Sequence, residues 1–461
     1  MFIVLAAALF AILASNWKRG GPVSVLAITW LIPTLMLMLH VINYEDFPEA
    51  NIMFELVLLS YISCFVCGAV VFRRKRFRAM PSKGVILSDD VTVVAPLAYF
   101  CWWLGLIGTL CLWLDFAMKG SAADISDLTA LHEAMLKSEG ISIFGKVSNV
   151  TSWASLYCYA FALTYWGRLG LVQRWYLFLP VGGYFLGSVF NGGRQAAFQI
   201  LIVSLLIYLF APKQNFELTP KASLYKRSVK LLYLFGAVCA LAAYMGYVAA
   251  ARNDNAISDD KTVVLRMLFN YDMMPAINDF ENMLGTKTKG LIEEGVVYFS
   301  SPIPLFKSFL ASDYRNSYGV FTFPFLMRQL QPITGLSVLD TLLDKTRALE
   351  DAGAMGFGWT TAISSYIADF GLAGAGVFLF ILGYYSEHVW FKARTRGRFH
   401  DWVTLVVLLL SVIYMPLIPI SSDTNVFFLW VFCIVAERFG TIWRMPSRSH
   451  RRNASSRPEP I

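Results

Sequence analysis

The chain has 461 residues, of which 57% are hydrophobic and 15% charged, and its mean hydropathy is +0.55. This composition is too apolar for a soluble globular domain and is typical of a membrane protein. The formal net charge of +8 suggests a nucleic-acid partner, but the distribution of the charges along the chain argues against one.

Apolar stretches of spanning length follow one another along the chain, with a single long interruption at 251–356. They are predicted near residues 2–16, 23–42, 52–72, 93–116, 148–166, 175–190, 195–211, 231–250, 357–386, 402–419 and 425–437. The pattern predicts an all-α polytopic integral membrane protein with about 11 transmembrane helices. The predicted domains are 1–250 with helices 1–8, 251–356 as one large external segment, 357–437 with helices 9–11, and 438–461 as a disordered basic cytoplasmic tail.

Lysine and arginine are distributed unevenly between the two sets of short loops. One set of alternate loops, together with the tail, holds 25 of these residues, whereas the opposite short loops hold 4. Because cytoplasmic loops carry the excess of Lys and Arg, the N-terminus is predicted outside and the C-terminus inside. The net positive charge is therefore explained by membrane topology.

The external segment 251–356 contains 10 basic and 13 acidic residues, so its arginines are not part of a general excess of positive charge. It also contains apolar stretches that are too short to span, at 262–269 and 296–310. These are predicted to be helices that lie on or dip into the outer leaflet and cover a cavity.

A tight external turn is the first candidate site. Gly192 and Gly193 allow close backbone approach to a ligand, and Arg194 stands at the start of the next helix. A guanidinium, free amides and a helix N-terminus together bind anions. The alternative is an arginine that extends to lipid headgroups.

Further external arginines are candidates for binding the same anion. Arg252 follows an apolar run at the outer end of a helix and is the second predicted catalytic cation. The substrate-binding candidates are Arg266, Arg315, Arg328 and Arg347. The alternative for Arg266 is a salt bridge to a nearby aspartate, and the others are equally explained as solvated or paired charges.

Asp369 lies inside the start of a membrane helix, where a carboxylate is costly unless it is paired or faces a cavity. Both a structural bond and a catalytic role remain open for it. His132, in the loop 117–147, is a candidate general base, although a lone histidine is usually a surface or packing residue. The seven cysteines all lie in apolar runs, and no metal-binding or nucleotide-binding motif occurs outside, so neither a metal nor a cofactor is expected.

Three stretches resemble the Wzy-type O-antigen polymerases, the oligosaccharide repeat-unit polymerases. Residues 190–195, FNGGRQ, resemble the glycine-arginine turn of that family. The stretches from Tyr298 (YFSS) and Tyr318 (YGVFTF) resemble its large periplasmic loop, and WTT at 359–361 with YIADFG at 366–371 resembles the loop-to-helix boundary. The resemblance covers roughly residues 185–385.

This resemblance implies a GT-C-like, metal-independent glycosyltransferase of the bacterial inner membrane. Such an enzyme transfers a glycan from one undecaprenyl-diphosphate carrier to the terminal sugar of a second lipid-linked repeat unit, on the periplasmic side. The expected partners are the lipid-linked oligosaccharide donor and acceptor, membrane lipids and a chain-length regulator. Tyr298 joins the substrate-binding residues on this basis.

Three other functions fit parts of the pattern. An O-antigen ligase transfers the same donor to lipid A-core and has similar topology. A lipid-linked oligosaccharide flippase is expected to show two similar halves, which this chain lacks. A non-enzymatic assembly protein would use the external segment as a docking surface.

Overall fold

The computed structural model describes residues 2–17, 20–44, 52–76, 91–120, 142–190, 195–210, 271–275, 279, 293, 295–297, 299–312, 314, 317–335, 337–351 and 361–443. This part of the chain is mostly helical. The helices are α1 Ile3–Asn16, α2 Pro22–Met38, α3 Ile52–Arg76, α4 Val91–Gly120, α5 Ile143–Thr151, α6 Trp153–Thr164, α7 Leu171–Phe190, α8 Gln195–Phe210, α9 Pro302–Ala311, α10 Pro324–Thr334, α11 Val338–Asp351, α12 Ala362–Arg396, α13 Phe399–Tyr414 and α14 Thr424–Trp443, and the strands are β1 Ile42–Tyr44 and β2 Tyr271–Met273.

Among the described residues, three helices are long and apolar enough to cross a membrane: Ile52–Lys75, Val91–Met118 and Ala362–Arg396. Large apolar side chains on their outer faces are exposed, as lipid-facing side chains are. Leu56, Phe100, Leu110 and Ile381 are examples. The coarse prediction of a helical membrane protein is thereby confirmed, while the number of eleven spans stays a prediction.

Helices α3 and α12 pack closely through small residues. A Cβ atom added to Gly68 would lie 2.0 Å from the Phe380 carbonyl oxygen, and one added to Gly383 would lie 2.0 Å from the Phe65 carbonyl oxygen. The two backbones therefore touch where only glycine fits, as is common between membrane helices.

Buried ion pairs and hydrogen bonds connect the helix ends at one side of the bundle. Arg73, near the end of α3, forms a buried ion pair with Glu387 of α12, with 2.7 Å between Nε and Oε1, and also hydrogen-bonds Asn16 at the end of α1. Farther along α12, Lys392 pairs with Asp401 of α13 and Glu437 of α14. All these ends adjoin loops that the charge pattern predicts to be cytoplasmic.

The opposite helix ends also meet one another. The Ala362 amide at the start of α12 donates to the Met415 carbonyl just beyond α13. Strands β1 and β2 pair antiparallel, with Asn43 opposite Asp272, and so join two loops that are both predicted to be external. For α1, α3, α12, α13 and α14 these contacts agree with the predicted helix directions, while the directions of the other helices and the assignment of one end to the periplasm stay predictions.

Helix α9 belongs to the stretch 296–310, for which the sequence predicts a position on the lipid surface. In the structure its apolar residues Ile303, Leu305, Phe306 and Phe309 are buried in the protein core. The Phe306 ring packs 5.7 Å from that of Phe54 on α3, measured between centroids. This helix is therefore covered by the bundle, which removes its apolar face from contact with lipid or water.

Candidate functional site

Asp369 fixes the turn 317–323 to the start of α12. Its carboxylate accepts hydrogen bonds from the Ser317 hydroxyl at 2.5 Å, from the Phe321 amide at 3.2 Å, and from the Thr322 amide and hydroxyl at 2.6 Å each. The side chain is buried, with 4% of its surface exposed. Four donors at such a depth satisfy a charge that would otherwise be costly to bury.

The helical geometry of α12 is interrupted two residues after Asp369. Gly371 has φ 72° and ψ 173°, which interrupts the helical geometry of α12. A side chain at this φ is strained, so the glycine permits the kink. The helical turn that carries Asp369 is thereby set apart from the long apolar part of α12.

Lys345 lies beneath the same turn. Its ammonium nitrogen is 4.4 Å from the centroid of the Phe321 ring, and only 5% of the residue is exposed. Burial lowers the pKa of Lys345 to about 8, against the opposing attraction of the Asp369 carboxylate. Lys345 belongs to α11, and the Tyr314 hydroxyl, three residues before the turn, donates to the Thr341 carbonyl of the same helix, so two contacts dock α11 on this part of the chain.

From Thr322 the polar contacts continue across the end of the bundle. The Ser421 hydroxyl donates to the Thr322 carbonyl at 2.8 Å. Two residues later, Asp423 Oδ2 accepts a hydrogen bond from Gln199 Nε2 of α8 at 2.7 Å. The Tyr184 hydroxyl of α7 accepts from Asn425 Nδ2 at 3.2 Å and lies 3.4 Å from Gln199 Oε1.

We call this set the polar belt; it consists of Asp369, Thr322, Ser421, Asp423, Gln199, Tyr184 and Asn425. It joins α12, the turn 317–323, the link between α13 and α14, and the helices α7 and α8. These last two are the helices that the predicted glycine-arginine turn connects. The belt therefore connects the two helices that flank the first of the three stretches singled out in the sequence with elements that carry parts of the other two.

Within the belt, Asp423 is the carboxylate at the start of α14. Its Oδ1 accepts hydrogen bonds from the backbone amides of Asn425 at 2.8 Å and Val426 at 3.1 Å, which caps the helix. Burial raises the pKa of Asp423, and the bonds from Gln199 and the two amides partly offset that rise. Unlike Asp369, Asp423 is partly exposed.

An apolar cavity of about 420 Å³ begins beside the belt and runs between α12, α13 and α14. Ser421, Phe323 and Tyr366 line it at the belt end, and Glu437 and Arg438 line it at the other end. The walls between are mostly apolar, which suits an apolar chain more than a sugar.

Of the site residues predicted from sequence, eight lie outside the described residues and three lie within them. Arg194, Gly192, Gly193, Arg252, Arg266, Arg315, Tyr298 and His132 lie outside the described residues, so their roles stay predictions. Arg328 is exposed on α10, and Arg347 is exposed on α11 with its guanidinium 3.8 Å from Asp344. Asp369 is held by donors as a positioning residue would be, and its catalytic role stays a prediction.

Sequence reasoning missed Lys345 and Asp423. A signal for Lys345 was present, because it follows Val338 and Leu342 at helical spacing and so falls on the apolar face of α11. Asp423 stands in a short link without any Lys or Arg, SSDTN, where it reads as an ordinary helix cap.

Comparison of this chain with known protein families, with characterised proteins and with solved structures finds no match.

Proposed function

We propose that this protein polymerises lipid-linked oligosaccharide repeat units on the outer face of the membrane. It transfers the glycan of one polyprenyl diphosphate to the terminal sugar of a second carrier-linked unit. The observation that carries the proposal is the polar belt, which connects the helices flanking the turn 191–194 to Asp369 and the turn 317–323.

The chemistry of the step matches the residue types in this region. The bond that breaks joins the anomeric carbon of the donor glycan to a diphosphate oxygen, and negative charge grows on that oxygen. Fixed cations placed there stabilise the transition state, and arginine binds two oxygens at once. Arg194 and Arg252 are the residues to which we assign this role.

The carrier requires an apolar path beside this polar region. The cavity between α12, α13 and α14 begins at Ser421 and Tyr366 and is lined mainly by apolar side chains. An isoprenoid chain in that cavity would bring its diphosphate to the belt end. Closure of the external segment over the belt would exclude water and limit hydrolysis of the donor.

The test is the lipopolysaccharide ladder of a strain that lacks this protein, compared on a gel with the same strain carrying the wild-type chain on a plasmid. We expect core bearing a single repeat unit in the deletion strain and a restored ladder on complementation. Core without any repeat unit would instead indicate the ligase or the flippase. An unchanged ladder would contradict the proposal.

A further inference from the structure

The proposed transfer needs a group that takes the proton of the acceptor hydroxyl, and the sequence identifies none beyond His132, which lies outside the described residues. Two carboxylates of the polar belt are candidates. Asp369 is poorly suited, because its carboxylate already holds the turn 317–323 through two backbone amides and two hydroxyls. Protonating it would weaken four hydrogen bonds, against three at Asp423, and would release the turn.

Asp423 differs from Asp369 in exposure and in position. The Asp423 residue as a whole is partly exposed, although its carboxylate is enclosed enough for burial to raise its pKa, whereas 4% of Asp369 is exposed. Its neighbours along the chain, Ser421 and Val426, both line the cavity. The belt end of the cavity therefore lies two to three residues along the chain from Asp423, which does not itself line it.

The carboxylate of Asp423 is also held in a fixed orientation. Gln199 of α8 donates to Oδ2, and two amides of the first turn of α14 donate to Oδ1. Gln199 is in turn placed by Tyr184, which is itself held by Asn425. A base fixed from two helices is preorganised for proton transfer, since no side-chain rearrangement precedes the step.

We propose that Asp423 is the general base of the transfer and that Gln199 is its positioning residue. This inference rests on the proposed polymerase function. The acceptor hydroxyl oxygen forms a bond to the anomeric carbon of the donor glycan while its proton passes to Asp423. The bond from that carbon to the diphosphate breaks, and its electron pair leaves with the diphosphate. The proton on Asp423 is then lost to water.

The experiment uses the full chain in proteoliposomes with repeat-unit lipids extracted from the deletion strain. Asp423→Asn retains a helix-capping side chain but cannot accept the proton. We expect the rate of chain extension to fall on the order of 10²–10⁴-fold. Asp340→Asn, which removes an exposed carboxylate from α11, is the matched control and should extend chains at the wild-type rate.

The pH profile separates a base from a structural residue. The wild-type rate should fall as the pH falls through the pKa of Asp423, and the residual rate of Asp423→Asn should lack that acidic limb. The titratable neighbour on α7 is Tyr184, which contacts Gln199 and Asn425. Because Tyr184 ionises on the alkaline side, it does not produce an acidic limb.

A second pair of variants addresses folding. Asp423→Glu and Asp423→Gln have the same size and differ in the carboxylate, so the Glu variant should be faster by at least tenfold. If wild type extends chains while Asp423→Asn or Asp423→Gln remains within about threefold of it, Asp423 is not the base. If wild type itself extends no chains, the polymerase proposal has failed, and this inference fails with it.

Discussion

The Asp369 carboxylate accepts two hydrogen bonds from Thr322, one from its backbone amide and one from its hydroxyl, and the donor–acceptor distance is 2.6 Å in both. This relationship ties the turn 317–323 to the beginning of α12. The Thr322 carbonyl, on the other side of the same residue, accepts from Ser421. A single threonine therefore connects the start of α12 with the link between α13 and α14.

Replacement of Asp369 should reduce the thermal stability of the protein, and any loss of polymerisation should follow from that loss of stability. Asp369→Ala leaves the buried amides of Phe321 and Thr322 without their acceptor, at about 1–3 kcal/mol for each group. We expect a lower midpoint of thermal unfolding in detergent, measured by the loss of the monodisperse peak on size-exclusion chromatography. Asp340→Ala, at an exposed site, should leave the midpoint unchanged. A wild-type midpoint combined with complete loss of polymer would instead assign Asp369 to the chemistry.

Lys345 should make the free energy of unfolding depend on pH in the alkaline range. Its pKa falls from the ordinary 10.5 to about 8 in the folded protein, so the unfolded chain binds more protons between these values. The free energy of unfolding should therefore rise with pH across this window, by up to about 3 kcal/mol. The measurement is the difference in unfolding free energy between wild type and Lys345→Met from pH 7 to 10.5. A constant difference across that range would contradict the burial of Lys345.

The buried pair of Arg73 and Glu387 should behave as a coupled unit. With 8% and 1% of the two side chains exposed, removal of either partner leaves a buried charge, which costs about 3–5 kcal/mol. We expect Arg73→Ala and Glu387→Ala each to reduce the midpoint of thermal unfolding strongly. The double variant should lose much less than the sum of the two single losses. Strictly additive losses would show that the two side chains do not interact.

Arg194 should be required for polymerisation but not for membrane insertion. Arg194→Ala removes the planar cation that we assign to the diphosphate, and Arg194→Lys keeps only a point charge. We expect no long-chain glycan with the alanine variant and little with the lysine variant, at wild-type protein levels in the membrane. The control is Arg174→Ala, at the other end of α7, whose guanidinium lies over the Trp166 ring. Long chains made normally by Arg194→Ala would remove the arginine from the mechanism.

Hydropathy predicted the position of most described helices but not the true length of α12. The predicted span 357–386 stops where charges begin, whereas α12 continues to Arg396. The charges of that extension are accommodated because Glu387 pairs with Arg73 and Lys392 with Asp401. Such partners lie hundreds of residues away or on another helix, so hydropathy averaged over a short sequence window cannot reveal them.

A second difference concerns the predicted span 148–166, which the structure divides into α5 and α6 at Ser152. The division coincides with a close approach of α4, since a Cβ atom on Gly108 would lie 2.7 Å from the Ser152 amide nitrogen. Apolar composition carries no information about such a contact. The same holds for the polar belt: the bond between Gln199 and Asp423, and those of Thr322 to Asp369 and Ser421, join residues that are far apart in the sequence.

Reconstitution tests the polymerase proposal most directly. The purified full chain in proteoliposomes would receive repeat-unit lipids extracted from the deletion strain, and the glycan length and free polyprenyl diphosphate would be measured together. We predict glycans of increasing length, with one polyprenyl diphosphate released for each new glycosidic bond. Unchanged single-repeat lipids, or transfer only when lipid A-core is added, would contradict it.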